Sequence, residues 1–99
     1  MKPFDELIAI VERSTGVTAD ELLSKARPNR IAFARWILMT MAMREGYHDS
    51  SIGRKLGKDH GTIAHGIASL PKVILEDAEV REWNRQCFQT LDESKIKSA

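Results

Sequence analysis

Apolar residues return along this chain every three or four positions, which is the spacing of a helix face and not of a strand. Phe4, Leu7, Ile8 and Val11 make the first stripe, opened by Pro3 and stopped by Ser14-Thr15-Gly16. Thr18-Ala19-Asp20-Glu21 has the form of a capping box and predicts a short helix with Leu22 and Leu23 apolar. Residues 24–30 form a basic loop, since Pro28 argues against a continuous helix there. A long helix is predicted from about Arg30 to Glu45, with Ile31, Ala34, Leu38 and Met41 on one stripe, Ile37 widening it and Gly46 as its C-cap. Asp49 or Ser50 is expected to cap a short helix ending near Leu56. The next helix runs from Asp59 to about Leu70, where Pro71 breaks or bends it, with Val73, Ile74 and Leu75 continuing an apolar face. Asp77 caps a last helix carrying Val80, Trp83, Cys87, Phe88 and Leu91, and the polar tail from Asp92 is expected to fray. No segment sustains an alternation of period two, so the expected class is all-α.

Length and composition narrow the picture. Ninety-nine residues fit one domain over 1–99, and a chain of this size buries roughly 65% of its unfolded surface, enough for a core without covalent staples. The single Cys87 excludes an internal disulfide and fits a reducing compartment. No leader opens the sequence, and its longest apolar stretch, Ile31 to Met43, is interrupted by Arg35 and Thr40. A span needs roughly 20 apolar residues, so the expectation is a cytoplasmic protein with no membrane partner.

Charge matters through its distribution. The formal total is only +1. Residues 1–23 set Lys2 and Arg13 against Asp5, Glu6, Glu12, Asp20 and Glu21, a net of −3. Residues 24–65 set Lys25, Arg27, Arg30, Arg35, Arg44, Arg54, Lys55 and Lys58 against Glu45, Asp49 and Asp59, a net of +5. The remainder has a net of −1, from five basic and six acidic residues. A solvated charged surface is one explanation; segregation of this kind is also the footprint of a polyanion site.

That basic block contains the most informative segment, Gly57-Lys58-Asp59-His60-Gly61-Thr62-Ile63-Ala64-His65-Gly66. Gly57 supplies a tight turn and Asp59 an N-cap, after which His60 and Thr62 can reach out from the first helical turn. Ile63, Ile67 and Leu70 face the other way. With Ile52 and Leu56 inward on the preceding helix, residues 49–70 read as a helix-turn-helix whose second helix suits a major groove. Such turns are common in helical proteins. Lys55 and Lys58 flank this one where the motif meets a DNA backbone, and the positive end of the second helix favours an anion.

Other side chains have plainer readings. His60 and His65 stand roughly 140° apart around a helix, so they cannot share a metal as an i, i+4 pair would. His65 is expected at the core edge, Arg30 as a solvated helix-start charge, and Trp36 and Trp83 as core anchors. The Met39, Met41 and Met43 cluster reads as core filling. No nucleophile–base pair, metal cluster or phosphate loop can be assembled, so neither enzyme activity nor a cofactor is expected.

The decapeptide resembles the signature of the C-terminal DNA-binding domain of the bacterial replication initiator DnaA, usually Gly-Arg-Asp-His-Thr-Thr-Val-Xaa-His. Glu21-Leu22-Leu23-Ser24-Lys25 followed by Arg27 resembles that family's basic loop, and Ile31-Ala32 with Ala34-Arg35 its next helix start. Ser51-Ile52-Gly53 and Leu56-Gly57 resemble the helix before the signature, so the likeness extends over roughly residues 4–92. It implies a small multi-helix fold of the Trp repressor/DnaA C-terminal type and double-stranded DNA as partner, bound as a monomer. It also implies that Arg27 enters the minor groove, that Arg35 contacts phosphate, and that Asp59, His60 and Thr62 read base edges or phosphates in the major groove. Lys25 belongs to the loop, and Lys55 and Lys58 join the DNA-binding set from charge and position. The family's initiators also carry an ATP-binding module, but no phosphate-loop motif occurs here, so no nucleotide cofactor is expected. The chain would be an excised domain or a free-standing relative, serving replication initiation or as a mobile-element regulator.

Two departures stand out. Gly61 replaces the signature's first threonine, removing a side chain that could touch a thymine methyl or form a hydrogen bond. Trp36 takes the place of the family's glutamine or histidine after Arg35. The alternative function is therefore a protein-interaction module of the same fold that has lost sequence-specific base readout.

Overall fold

A computed structural model describes residues 1–98. Its helices are α1 (Phe4–Thr15), α2 (Ala19–Leu23), α3 (Asn29–Arg44), α4 (Asp49–Leu56), α5 (His60–Glu76) and α6 (Ala78–Ser98), with no strand among the described residues. The all-α expectation holds.

Local chemistry sets most of the boundaries. The Thr18 capping box forms in full: the Thr18 hydroxyl accepts from the Glu21 amide, and the Glu21 carboxylate accepts from the Thr18 amide. These bonds hold the Glu21 carboxyl below its ordinary range. α1 ends on Gly16 at φ 78°, whose amide donates to Glu12 O. α4 departs from the expectation, because His48 occupies the N-cap position with no side-chain bond and Asp49 is already helical.

Core formation follows the predicted stripes, with α3 at its centre. That helix packs against each of the other five helices. Ile31, Ala34, Ile37, Leu38, Met39, Met41 and Ala42 are all buried. They meet Leu7 and Val11 of α1, Leu22 of α2, Ile52 and Leu56 of α4, Ile63 and Leu70 of α5, and Val80, Trp83, Cys87 and Leu91 of α6 in one apolar cluster. Each fully buried Leu or Ile contributes about 1.5–3 kcal/mol. Met39 and Met41 fill the core as expected, whereas Met43 is exposed. Burial pushes the Cys87 thiol up to about 11, so it remains a protonated, packed side chain.

Two elements run further than expected. α5 passes through Pro71 without a break; the proline lies on an exposed face, where the forfeited hydrogen bond costs least. α6 continues to Ser98 in place of a frayed tail. Leu91 is fully buried, and Lys95 forms an ion pair with the almost completely buried Glu45 carboxylate at the end of α3. Burial alone would raise the Glu45 pKa, but Lys95 holds it below its ordinary value. Ala99, the last residue of the expected tail, lies outside the described residues.

Candidate nucleic-acid interface

The helix-turn-helix comprises α4, a turn over residues 57–59, and the first turns of α5. Gly57 takes φ 67°, the left-handed conformation a side chain would resist, and the Lys58 amide donates to Gly53 O at 2.8 Å. Gly53 is needed for a different reason. A Cβ there would come within 2.5 Å of the Lys58 carbonyl oxygen, so only glycine lets the turn fold back onto α4. Asp59 Oδ1 accepts from the Thr62 amide at 2.7 Å, and this bond depresses the Asp59 pKa. Ile63 is then fully buried while His60, Gly61 and Thr62 are exposed, so the first turn of α5 presents a polar tip to solvent.

The basic loop lies beside this tip. Lys58 is half-buried with its pKa lowered, first by burial and then by the charges of Arg35, Lys25 and Arg27. The two segments therefore form one cationic region, although more than 30 residues separate Lys25 from Lys58 in the chain. Lys25 and Arg27 are exposed. The loop's course is set by the Ser24 hydroxyl, which donates to Glu21 O at 2.7 Å and accepts from the Ala26 amide at 3.1 Å.

Two expected DNA contacts are placed otherwise. Arg35 is only 5% exposed. Its Nε donates to Leu22 O at 2.9 Å, Nη1 to Ala26 O at 3.2 Å, and Nη2 to Glu21 O and Ser24 O, each at 3.0 Å. Burial lowers its pKa. A guanidinium has five N–H donors, and four of these are taken up by carbonyls, two in the last turn of α2 and two in the loop. Lys55 is exposed, and its ammonium lies 5.5 Å from the Phe4 ring centre and 5.9 Å from that of Tyr47. A charge count along the sequence cannot separate these two cations from Lys25, Arg27 and Lys58.

Arg30 is also engaged. It donates to Thr15 O at 2.9 Å, where cations suit the carbonyl end of α1, and its guanidinium lies over Trp83. Trp83 is buried as expected, whereas Trp36 is half-buried on the flank of α5. A Cβ on Gly66 would meet Trp36 Cδ1 at 2.5 Å, and the indole also contacts Phe33 and His65 edge-on or tilted. Gly66 thus sets how closely α5 approaches α3. It stands beside the signature in the sequence, but only its partner reveals why it has no side chain. No group of three or more potential metal ligands occurs among the described residues, and no described helix is long and apolar enough to cross a membrane.

Comparison with known proteins agrees with this architecture. Residues 4–69 match the family described as the bacterial dnaA protein helix-turn-helix. The chain is 33% identical over 82 residues to the chromosomal replication initiator protein DnaA of Streptococcus uberis, covering 80% of this chain and 18% of that protein. The Streptococcus pyogenes serotype M1 and serotype M5 proteins of the same name match with the same identity and coverage. The chain therefore spans less than a fifth of the length of these relatives.

Proposed function

The chain belongs to the bacterial DnaA helix-turn-helix family, and from that premise we propose that it binds double-stranded DNA at replication-initiator sites. The polar tip of α5 enters the major groove, where Asp59, His60 and Thr62 meet base edges or phosphates. Lys25 and Lys58 neutralise backbone phosphates, and Arg27 enters the adjacent minor groove. The observation that carries this reading is the exposed, Asp59-capped N-terminus of α5, presented behind the Gly57 turn with Ile63 buried beneath it; the charges of Lys25 and Arg27 reach Lys58 at this turn. Asp59 remains useful there as a cap and as an acceptor for a cytosine amino group. The domain acts as a monomer without a nucleotide cofactor.

Arg35 is bonded within the fold and Lys55 lies over Phe4 and Tyr47, so Lys25, Arg27 and Lys58 carry the electrostatics of binding. Two phosphate-neutralising lysines, with the charge of Arg27 in the minor groove beside them, give a slope of about −2 to −3 for log affinity against log salt. Nonspecific binding at physiological salt then falls at about 10⁻⁴–10⁻⁶ M, and base contacts add the rest. The test is a fluorescence-anisotropy titration against an initiator-type nonamer and a scrambled duplex, at two salt concentrations. At least about tenfold preference for the nonamer, equivalent to one good base contact, is the expected result.

Gly61 favours a second reading, a module of the same fold that binds protein and has lost base readout. Its exposed position offers DNA no side chain. Absence of binding to either duplex would select that reading, while equal, salt-sensitive binding would leave a DNA-binding domain with a different target.

A further inference from the structure

We infer that Arg35 is a positioning residue, which holds the basic loop at a set reach from the tip of α5 and does not itself contact DNA. The loop has few means of holding its own shape. Residues 24–28 lie between α2 and α3, and the Ser24 hydroxyl provides their internal bonds. From beneath, the Arg35 guanidinium gathers the carbonyls of Glu21, Leu22, Ser24 and Ala26. Two of these belong to the last turn of α2, where the helix dipole adds to the attraction for a cation. The planar fork of arginine can serve four divergent oxygens; a lysine, with its donors on one nitrogen, cannot. Reaching a phosphate would require the side chain to abandon these bonds and leave its buried site.

Trp36 packs against Gly66, one turn inside α5 from the residues proposed to read DNA. Consecutive residues of a single helix therefore bear on both candidate readers, Arg35 on the loop and Trp36 on α5. α3 sets the separation between Arg27 and His60, and hence the groove spacing the protein fits.

The affinity arm of the test rests on the DNA-binding reading; a spectroscopic arm does not. In the wild-type protein, NMR of the ¹⁵N-labelled arginine side chains should show a slowly exchanging Arg35 Nε–H that keeps its shift when an A·T-flanked duplex is added, while the Arg27 signal moves. An Arg35 Nε–H that exchanges like a solvated guanidinium, or that shifts with the duplex as Arg27 does, would overturn the inference. In anisotropy, Arg35→Lys retains the positive charge, yet it should weaken binding to that duplex about tenfold, as much as Arg27→Ala does. The double variant should be no more than about twofold worse than the weaker single variant, because both changes remove one contact. Additive losses, or near wild-type affinity for Arg35→Lys, would mean that Arg35 acts independently of the loop. Should Arg35→Lys fail to fold, the wild-type spectra decide. Should wild type bind no duplex, the DNA reading falls, and Nε–H protection still reports whether Arg35 holds the loop.

Discussion

The basic loop and the helix-turn-helix both contribute to the proposed DNA face, yet they are built by opposite means. The helix-turn-helix is organised by near neighbours: Asp59 caps the amide three residues on, Gly57 turns the chain, and Lys58 bonds back to Gly53. The loop depends chiefly on a side chain from the next helix, whose partners lie 9 to 14 residues earlier in the chain. A locally encoded turn keeps its own shape through changes elsewhere, although the seat of α5 still rests on Trp36. A reader held from a distance can be lost without touching any of its own residues.

The largest effect is expected where the helix-turn-helix has no slack. Gly53→Ala places a Cβ 2.5 Å from a backbone carbonyl that cannot rotate away, so α4 and the turn must separate. Overpacking of this kind costs about 1–3 kcal/mol, read as a lower midpoint in urea unfolding. An unchanged midpoint would mean that the turn is more adaptable than the loop.

Gly61→Thr sharpens the comparison from the other side. A Cβ at this exposed position meets only Asp59 Oδ1 at 3.5 Å, an ordinary contact. The fold should tolerate threonine, and preference for an initiator nonamer over a scrambled duplex should rise about tenfold. Equal gains on both duplexes would show that residue 61 touches the backbone and not bases.

Asp59→Ala tests the local encoding directly and should lower the thermal midpoint modestly. The Asp59 pKa is depressed below its ordinary 3.8 by the Thr62 amide, so the cap contributes fully above that value. Its contribution disappears as pH falls through the folded-state pKa. Melting curves of wild type and variant should therefore converge in strong acid; a constant gap would assign the loss to something other than the carboxylate.

The smallest effect concerns Lys58. In the free protein its pKa lies below the ordinary 10.5 because of burial and the cations around it. A bound polyanion restores the charged form, so binding takes up a proton in the alkaline window below 10.5, and affinity should fall as pH enters it. Lys58→Arg, which stays charged, should flatten that decline. Parallel pH profiles would place Lys58 outside the contact.

How much of this was legible in the chain depends on how far each cause lies from its effect. Apolar stripes placed the long helices, because burial of one face follows a 3.6-residue period, and capping residues placed the two short ones. The Thr18 box, the Asp59 cap and the Gly57 turn were equally readable, since each bond joins residues four or fewer apart. Pro71 misled because its cost depends on which face it occupies, and α6 because Lys95 found its partner, Glu45, at the C-cap of α3.

The family signature, the segregated charge and the helix-turn-helix were thus determined by the sequence alone, through interactions within a few residues or a pattern summed along a segment. The fate of each cation was not. Arg27, Arg35 and Lys55 are alike in a charge count, but Arg35 is buried beneath the loop, while Arg27 and Lys55 are both exposed and Lys55 lies over Phe4 and Tyr47. Trp36 and Gly66 likewise acquire their meaning only from each other, across thirty residues of chain. Tertiary structure decided these roles because a long side chain takes its partner from whatever surface folding brings within its reach.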